Sequence, residues 1–301
     1  MARHNNVSLL GAVQTKATVR VDSQGNYVAA ICPIRVIRGD RDVGDRRYTP
    51  KYDSPFIWSQ DSALIKQMAA WEVGDMVEVK GTIATKTIQK SSICPECKRS
   101  VRNPGILVYI NPIHFMVVKH CDSDEEMLNF LTEHREISNQ VQVIGTLVRN
   151  PKRLVPMTGL VVTQYPIAIN RKFKIQADAP EIKTDYPWVK SYGDNAEADR
   201  QHLHVGSDVF VDGCIQARGV TRHAVCPDCQ TKYDWKDNAM EIVPFSTEYL
   251  NNFYTDDDLK RLEDEKRQQV EDSVFNKSSK KDIITEDDRE AGIDDFGGAG
   301  Q

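Results

Sequence analysis

Hydrophobic and polar residues alternate along much of this chain, a pattern that predicts β-strands rather than helices. Stretches 7–38 and 141–172 each contain two alternating runs joined by a glycine-containing turn, which predicts a long hairpin in each. Shorter runs follow each hairpin in the same order. In the first copy they predict a third strand at 54–59, a fourth from 75 and a fifth at 105–115. In the second copy the corresponding strands are at 186–191, from 207 and at 239–246.

The two series of strands form a repeat. Gly11 matches Gly145 at an offset of 134 residues, and Gly81 matches Gly213 at an offset of 132, which indicates a tandem duplication. Between the third and fourth strands, residues 61–71 have helical spacing after a capping Asp61 or Ser62, whereas the second copy is polar and only weakly helical there. Five strands with a helix between the third and fourth predict an all-β protein of two tandem OB-fold barrels.

The pattern predicts four segments along the chain. Residues 1–120 and 139–254 are the two barrels, 121–138 is a linker helix whose Ser123 and Glu126 fit a capping box, and 255–301 is helical and then acidic. This last segment has a formal charge of −7 and few apolar residues, which predicts disorder towards its end. The rest of the chain has a formal charge of +2, which is compatible with nucleic-acid binding or with an ordinary solvated surface.

The cysteines suggest a metal rather than disulfides. Each copy has a Cys-Pro-acid-Cys pair in the loop expected between its fourth and fifth strands, formed by Cys94 and Cys97 or by Cys226 and Cys229. The same loops are expected to carry Lys86, Lys90 and Arg218. Zinc usually takes four ligands, so the simplest interpretation is one structural zinc knuckle shared by both copies. Two separate sites, a site shared between chains, and a redox remnant remain open. No apolar run is long enough to span a membrane and no secretory signal is evident, so we expect an intracellular protein.

The residues NNVSLLG (5–11), SNQVQVIGTLVRNPKRL (138–154), VGDMVEVKGTIATK (73–86) and VGSDVFVDG (205–213) resemble those of bacterial and phage single-stranded DNA-binding proteins. The resemblance implies a cytoplasmic protein that coats single-stranded DNA during replication, recombination and repair, here of the phage type and so acting in host cytoplasm. It also implies an acidic tail that recruits replication and repair proteins, and it allows a homodimer with four barrels. The CxxC insertions depart from the family pattern, as does Phe296, which lies five residues before the end.

Aromatic and basic side chains are the candidate DNA contacts, because bases stack on aromatic rings and phosphates attract cations. Alternation buries Ile57 and Val189 and turns their aromatic neighbours outward. The alternatives are rings packed against a loop or the other barrel, and basic residues on solvated loops. The predicted contacts are Arg35, Arg38, Arg46, Arg47, Phe56, Trp58, Lys86, Lys90, Arg149, Lys152, Arg153, Arg171, Tyr186, Trp188, Tyr192 and Arg218.

Catalysis is not expected. Residues KYDS (51–54) come near the lysine motif of nucleotidyltransferases but lack its glycine, and no Walker loop or HExxH motif occurs. A zinc-containing OB-fold protein that binds RNA or acts in transcription is the alternative function, because stacking does not distinguish DNA from RNA.

Overall fold

The computed structural model describes residues 4–39, 50–154, 159–171 and 184–252, together with Lys260, Arg261, Asp264, Arg267 and Gln268. The strands are β1 Asn5–Val13, β2 Thr18–Val21, β3 Tyr27–Ile37, β4 Tyr52–Asp53, β5 Phe56–Ser59, β6 Asp75–Ile93, β7 Ser100–His120, β8 Asn139–Leu147, β9 Lys152–Leu154, β10 Val162–Asn170, β11 Thr184–Asp185, β12 Trp188–Tyr192, β13 Asp208–Val225 and β14 Lys232–Asn251. The helices are α1 Ser62–Ala69, α2 Asp124–Glu133, α3 Arg135–Ser138 and α4 Gly193–His202.

Each half closes a ring of five strands. In the first half β1 pairs with β3 and β6, β3 pairs with β5, and β7 joins β6 to β5, the last pairing being parallel. In the second half β8, β10, β12, β14 and β13 repeat these pairings in the same order. The helix between the third and fourth strands of each ring completes the order expected for an OB-fold.

The two rings are joined edge to edge. β1 pairs antiparallel with β8, and a continuous buried cluster of hydrophobic side chains runs through both rings. Asn5 in β1 exchanges two hydrogen bonds with the backbone of Ile83, and Asn139 in β8 does the same with Ile215. The duplicated asparagines therefore fix equivalent strand pairs on either side of the junction.

The repeated glycines of the fourth strands are required by close backbone contact. A Cβ atom at Gly81 would lie 2.4 Å from the carbonyl oxygen of Asn111, and one at Gly213 would lie 2.2 Å from that of Val243. Both glycines lie at a register shift between the paired strands, as expected for β-bulges that bend a barrel wall. The Gly81–Gly213 match that indicated the duplication therefore marks an equivalent bend in the wall of each ring.

The fourth and fifth strands extend far beyond the rings, contrary to the loops expected from the sequence. β6 and β7 stay paired from Asp75 to Ile93, and β13 and β14 stay paired from Asp208 to Val225, so each pair forms a long arm. Each CxxC segment is the turn at the tip of an arm. Basic residues that the sequence placed on loops therefore lie on strands, among them Lys86, Lys90 and Arg218.

The helical linker is present as two short helices. The Ser123 side chain accepts a hydrogen bond from the Glu126 backbone at the start of α2, as expected, while the Glu126 carboxylate bonds to the backbone of Asp122. Met127 and Leu131 are buried against the first ring. The five described residues between 260 and 268 are helical; the remainder of 253–301 lies outside the described residues.

Candidate nucleic-acid interface

The third strands of both rings carry aromatic side chains on their outer face. Ile57 in β5 and Val189 in β12 are buried, while Phe56, Trp58 and Trp188 are half-buried on the opposite face. Tyr186, just before β12, is 48 % exposed. These rings are reachable from solvent in both halves, where bases could stack on them.

Trp58 is held in place by two neighbours. The ring of Tyr109 in β7 meets it edge-on at 4.7 Å between centroids, and the Lys86 ammonium nitrogen lies 4.5 Å from the centre of the Trp58 ring. Burial raises the pKa of Tyr109 to about 12, so its hydroxyl stays protonated. Tyr109 was not among the predicted site residues, and because it is buried next to the core residue Ile110, strand alternation could not have singled it out.

The second ring has a cation of its own beside its aromatic face. Lys190 lies between Trp188 and Tyr192 on the same face of β12, and its ammonium nitrogen is 5.6 Å from the centre of the Tyr192 ring. The Tyr192 hydroxyl bonds to Gln216 on β13 at 3.1 Å. Lys190 was missed, yet the two-residue period that singled out Trp188 places it on the same outward face. It is only 1 % exposed, so a neighbouring segment covers this cation.

Four predicted cationic contacts form ion pairs with carboxylates that are largely shielded from solvent. Their carboxylate partners have side chains no more than 10 % exposed. The pairs are Arg38 with Asp53 at 2.5 Å, Lys90 with Asp237 at 2.5 Å, Arg171 with Asp185 at 2.5 Å, and Arg218 with Glu241 at 3.0 Å. Because these charges are already compensated, we do not include the four residues among the proposed phosphate contacts.

Three of these ion pairs connect the halves: Lys90 on the first arm pairs directly with Asp237 on the second, and the other two do so through further hydrogen bonds of their carboxylates. The Asp53 carboxylate also accepts a hydrogen bond from the backbone of Ala217 on the second arm, at 2.8 Å. In the same way, Asp185 accepts one from the backbone of Thr85 on the first arm, at 2.6 Å. Each arm is therefore bound to the ring of the other half, next to that ring's outward aromatic residues.

The other predicted cations are distributed around the two rings. The Arg35 guanidinium carbon lies 5.8 Å from the centre of the Tyr52 ring, and Lys86 lies over Trp58. Arg149 and Lys152 are exposed, and Arg153 forms an exposed ion pair with Glu197 at 2.9 Å. Arg46 and Arg47 lie outside the described residues.

The four CxxC cysteines come together at the tips of the arms. Their sulfur atoms all lie within 4.8 Å of one another, with 3.6 Å between Cys94 and Cys229 and 3.6 Å between Cys97 and Cys226. No other cluster of three or more potential metal ligands occurs in the described part of the chain. The residues thus have the juxtaposition expected for one shared site, with two ligands from each half.

The two tips have the same backbone geometry. The backbone of Lys98 donates to the Cys94 carbonyl at 3.0 Å, and that of Gln230 donates to the Cys226 carbonyl at 2.9 Å; both donors have φ of 58°. This tight turn directs two sulfurs of each arm to the same point.

Two separate metal sites would need further ligands in each half, and the histidines and the cysteine considered for that role have other partners or surroundings. The His120 ring bonds to the Asp75 carboxylate at 2.8 Å, and the nearby Cys121 is buried against α2. In the second half, His223 pairs with Asp234 at 2.6 Å. The described geometry therefore favours the cluster shared by the arms over two separate sites.

Known proteins with similar sequences and folds agree with this architecture. The profile of the Single-strand binding protein family matches residues 138–233. Single-stranded DNA-binding protein B of Bacillus subtilis is 34 % identical over 80 residues, which are 27 % of this chain and 69 % of the relative. The chain belongs to the single-strand binding protein family. Single-stranded DNA-binding protein of Thermotoga maritima is 32 % identical over 80 residues, or 27 % of this chain and 57 % of the relative.

The fold is shared with solved structures of this family. The single-stranded DNA binding protein from Thermus aquaticus superposes with a TM-score of 0.51 at 16 % identity, covering 84 % of this chain and 97 % of that one. A deletion mutant of the same protein gives 0.52 at 17 % identity, covering 85 % and 99 %. At this level of identity the match shows the OB-fold architecture. The chain spans 57 to 62 % of the length of several sequence relatives, including the Thermotoga protein.

None of the helices in the described part of the chain is long and apolar enough to cross a bilayer.

Proposed function

We propose that this protein binds single-stranded DNA without catalysing a reaction, and that one strand lies across the outer faces of both rings. The observation that carries the proposal is the repeated set of outward aromatic side chains on β5 and β12. A folded chain buries such rings unless they have a surface role, and bases of any sequence can stack on them. The related proteins of Thermotoga maritima and Bacillus subtilis are named for the same activity.

The proposed interface combines stacking with phosphate contacts. The rings stack on bases, at roughly 1–3 kcal/mol for each base, and the nearby cations contact phosphates. Arg46 and Arg47 remain in the proposal on sequence grounds alone. The proposed residues are Arg35, Arg46, Arg47, Phe56, Trp58, Lys86, Arg149, Lys152, Arg153, Tyr186, Trp188 and Tyr192; Lys190 is not included, because it is only 1 % exposed.

We further propose that Cys94, Cys97, Cys226 and Cys229 hold one structural zinc ion. Four sulfurs close enough to share one ion, on two matching turns, fit the tetrahedral thiolate coordination that zinc prefers. The ion would supply only structural cross-linking, because four cysteines leave no position open for a reacting water. Its effect would be to hold the arm tips together and so fix the angle between the rings.

The remaining parts of the proposal rest on the sequence. Residues 1–120 and 139–254 are the two binding domains, and 121–138 connects them. The acidic segment 255–301 recruits replication and repair proteins by charge. The protein acts in the cytoplasm. A homodimer would present four rings to the DNA.

Fluorescence titration tests the proposed function. We expect single-stranded oligo-dT to quench the tryptophan emission at low salt, because Trp58 and Trp188 lie on the proposed surface. Affinity should fall with salt, with a slope in log–log form of about −0.7 for each phosphate contact. Matched duplex DNA and single-stranded RNA serve as competitors. Absence of quenching by oligo-dT refutes the proposal, and stronger competition by RNA than by DNA would support the RNA-binding alternative.

A further inference from the structure

A cavity of about 340 Å³ lies where the second arm passes the first ring. Its walls come from β3, β4 and β5 of the first ring and from both arms. The volume is at the lower end of the range for small-molecule sites, which suits one small flat group. The side chains that matter most are Tyr52, Phe56, Ile106, Arg218, Asn238 and Met240.

The cavity is held open by the contact between the halves. Asp53 accepts hydrogen bonds from Arg38 in its own ring, at 3.0 Å, and from the Ala217 backbone on the opposite wall, at 2.8 Å. Arg218, on that wall, is fixed by a bidentate pair with Glu241. Because both walls are tied by buried polar contacts, the space between them is preformed and does not depend on a ligand to open it.

The lining combines an apolar floor with polar edges. Phe56 is half-buried in the wall, and Ile106 is largely exposed at the cavity, where Met240 adds an adaptable apolar surface. Ser54 and Asn238 contribute a hydroxyl and an amide. A planar ring with hydrogen-bonding groups at its edge, such as a nucleobase, satisfies both features.

Charge around the cavity suits a polyanion. The nearby carboxylates of Asp53 and Glu241 are each paired with an arginine, so neither presents an uncompensated negative charge to a phosphate. Arg35 lies beside the lining residue Tyr52, with its guanidinium carbon 5.8 Å from the centre of the Tyr52 ring. A strand whose base enters the cavity would therefore have its phosphates near a cation.

We propose that this cavity receives one unstacked base of the bound single strand, at the point where the strand passes from the first ring to the second. The inference rests on the proposed function, because it assigns a subsite within that interface. The base packs against Phe56 and Met240, and the strand is held in one position by the second arm. The arm contributes to binding directly, in addition to joining the halves.

Filling the cavity tests the subsite. Gly219 lines it, and a Cβ atom there would meet nothing within 4 Å, so Gly219→Leu can add bulk without a clash in the free protein. Thr87 occupies the equivalent exposed position of the first arm, 132 residues earlier, and does not line the cavity, so Thr87→Leu is the matched control. We expect Gly219→Leu to weaken oligo-dT binding about tenfold, the loss of one stacked base, with Thr87→Leu within about twofold of the parent.

Equal affinities of the two variants would overturn the subsite while leaving the proposed function intact. A parent protein that binds no single strand at all would overturn both.

Photocrosslinking gives a readout that does not depend on the folding of a variant. Oligo-dT carrying 5-iododeoxyuridine should crosslink to the peptides that contain Tyr52, Phe56 or Met240 in the unmodified protein. Gly219→Leu should lose these crosslinks and retain those at Trp188. Crosslinks confined to peptides outside the cavity would contradict the proposal.

Discussion

At the level of single residues, the sequence alone does not distinguish an arginine that contacts DNA from one that forms a structural ion pair. Arg38 and Arg171 lie in basic stretches and were predicted to contact phosphates, but each is paired with an aspartate 14 or 15 residues later. Neither aspartate side chain is exposed. The pairing depends on a short strand folding back onto β3 or β10, and local sequence does not reveal that contact. The outward position of Trp58 and Trp188 was predictable, since it follows from strand alternation alone.

Removing Asp53 should strongly destabilise the protein. Asp53→Ala leaves Arg38 and the Ala217 backbone without their buried partner, and we expect a loss of about 3–5 kcal/mol in the free energy of unfolding, measured by urea denaturation. Glu72 forms an exposed pair with Lys16, so Glu72→Ala is the control and should cost less than about 1 kcal/mol. Similar losses for the two variants would show that Asp53 is not a buried link between the halves.

His120 should make stability depend on pH. Hydrogen bonding to Asp75 raises the pKa of His120, so the charged pair stabilises the fold below the ordinary histidine pKa, and this contribution is lost as pH rises through the raised value. His120→Gln should therefore lower the unfolding temperature more at about pH 6 than at about pH 8.5. In an Asp75→Asn background the effect of His120→Gln should vary much less with pH, because Asp75 is the main cause of the raised pKa and only Asp122 and Glu126 then remain nearby. An unchanged pH dependence in that background would assign the effect to another group.

At the scale of elements, the strand order was predictable and the arms were not. The alternation of hydrophobic and polar residues continues past the rings along β6 and β13. Because a long polar hairpin and a polar loop have similar compositions, the CxxC segments were nevertheless expected to interrupt the sheet. α4 was expected to be only weakly helical because of its polar sequence. It is stabilised instead by tertiary hydrogen bonds: buried Asp199 accepts from the hydroxyls of Tyr165 and Tyr249, both at 3.0 Å.

The arm tips should contain one zinc ion per chain that depends on both halves. Cys94→Ser and Cys226→Ser should each lose the metal, measured by mass spectrometry of the purified protein, because each removes one of four ligands. Cys32 is buried in β3, away from the cluster, so Cys32→Ala should retain it. Retention of the metal by Cys226→Ser would contradict a shared site, and a metal-free parent protein would remove zinc from the proposal.

The whole molecule is a duplicated fold whose halves are not independent. The offsets of 132 to 134 residues predicted two similar barrels, and the pairing of strands confirms two equivalent rings. The sequence could not show that β1 and β8 pair, or that each arm binds the opposite ring, because these contacts join residues at least 100 positions apart. These contacts place two aromatic faces in one rigid arrangement.

The most direct test is the affinity for oligo-dT of Trp58→Ala, Trp188→Ala and the double variant, measured by anisotropy of a labelled strand long enough to span both rings. We predict that each single change weakens binding by about five- to 150-fold, through loss of one stacked base, and that the losses add in the double variant while circular dichroism stays unchanged. Wild-type affinity in the double variant would contradict the account, because the strand would then lie somewhere other than on these two faces.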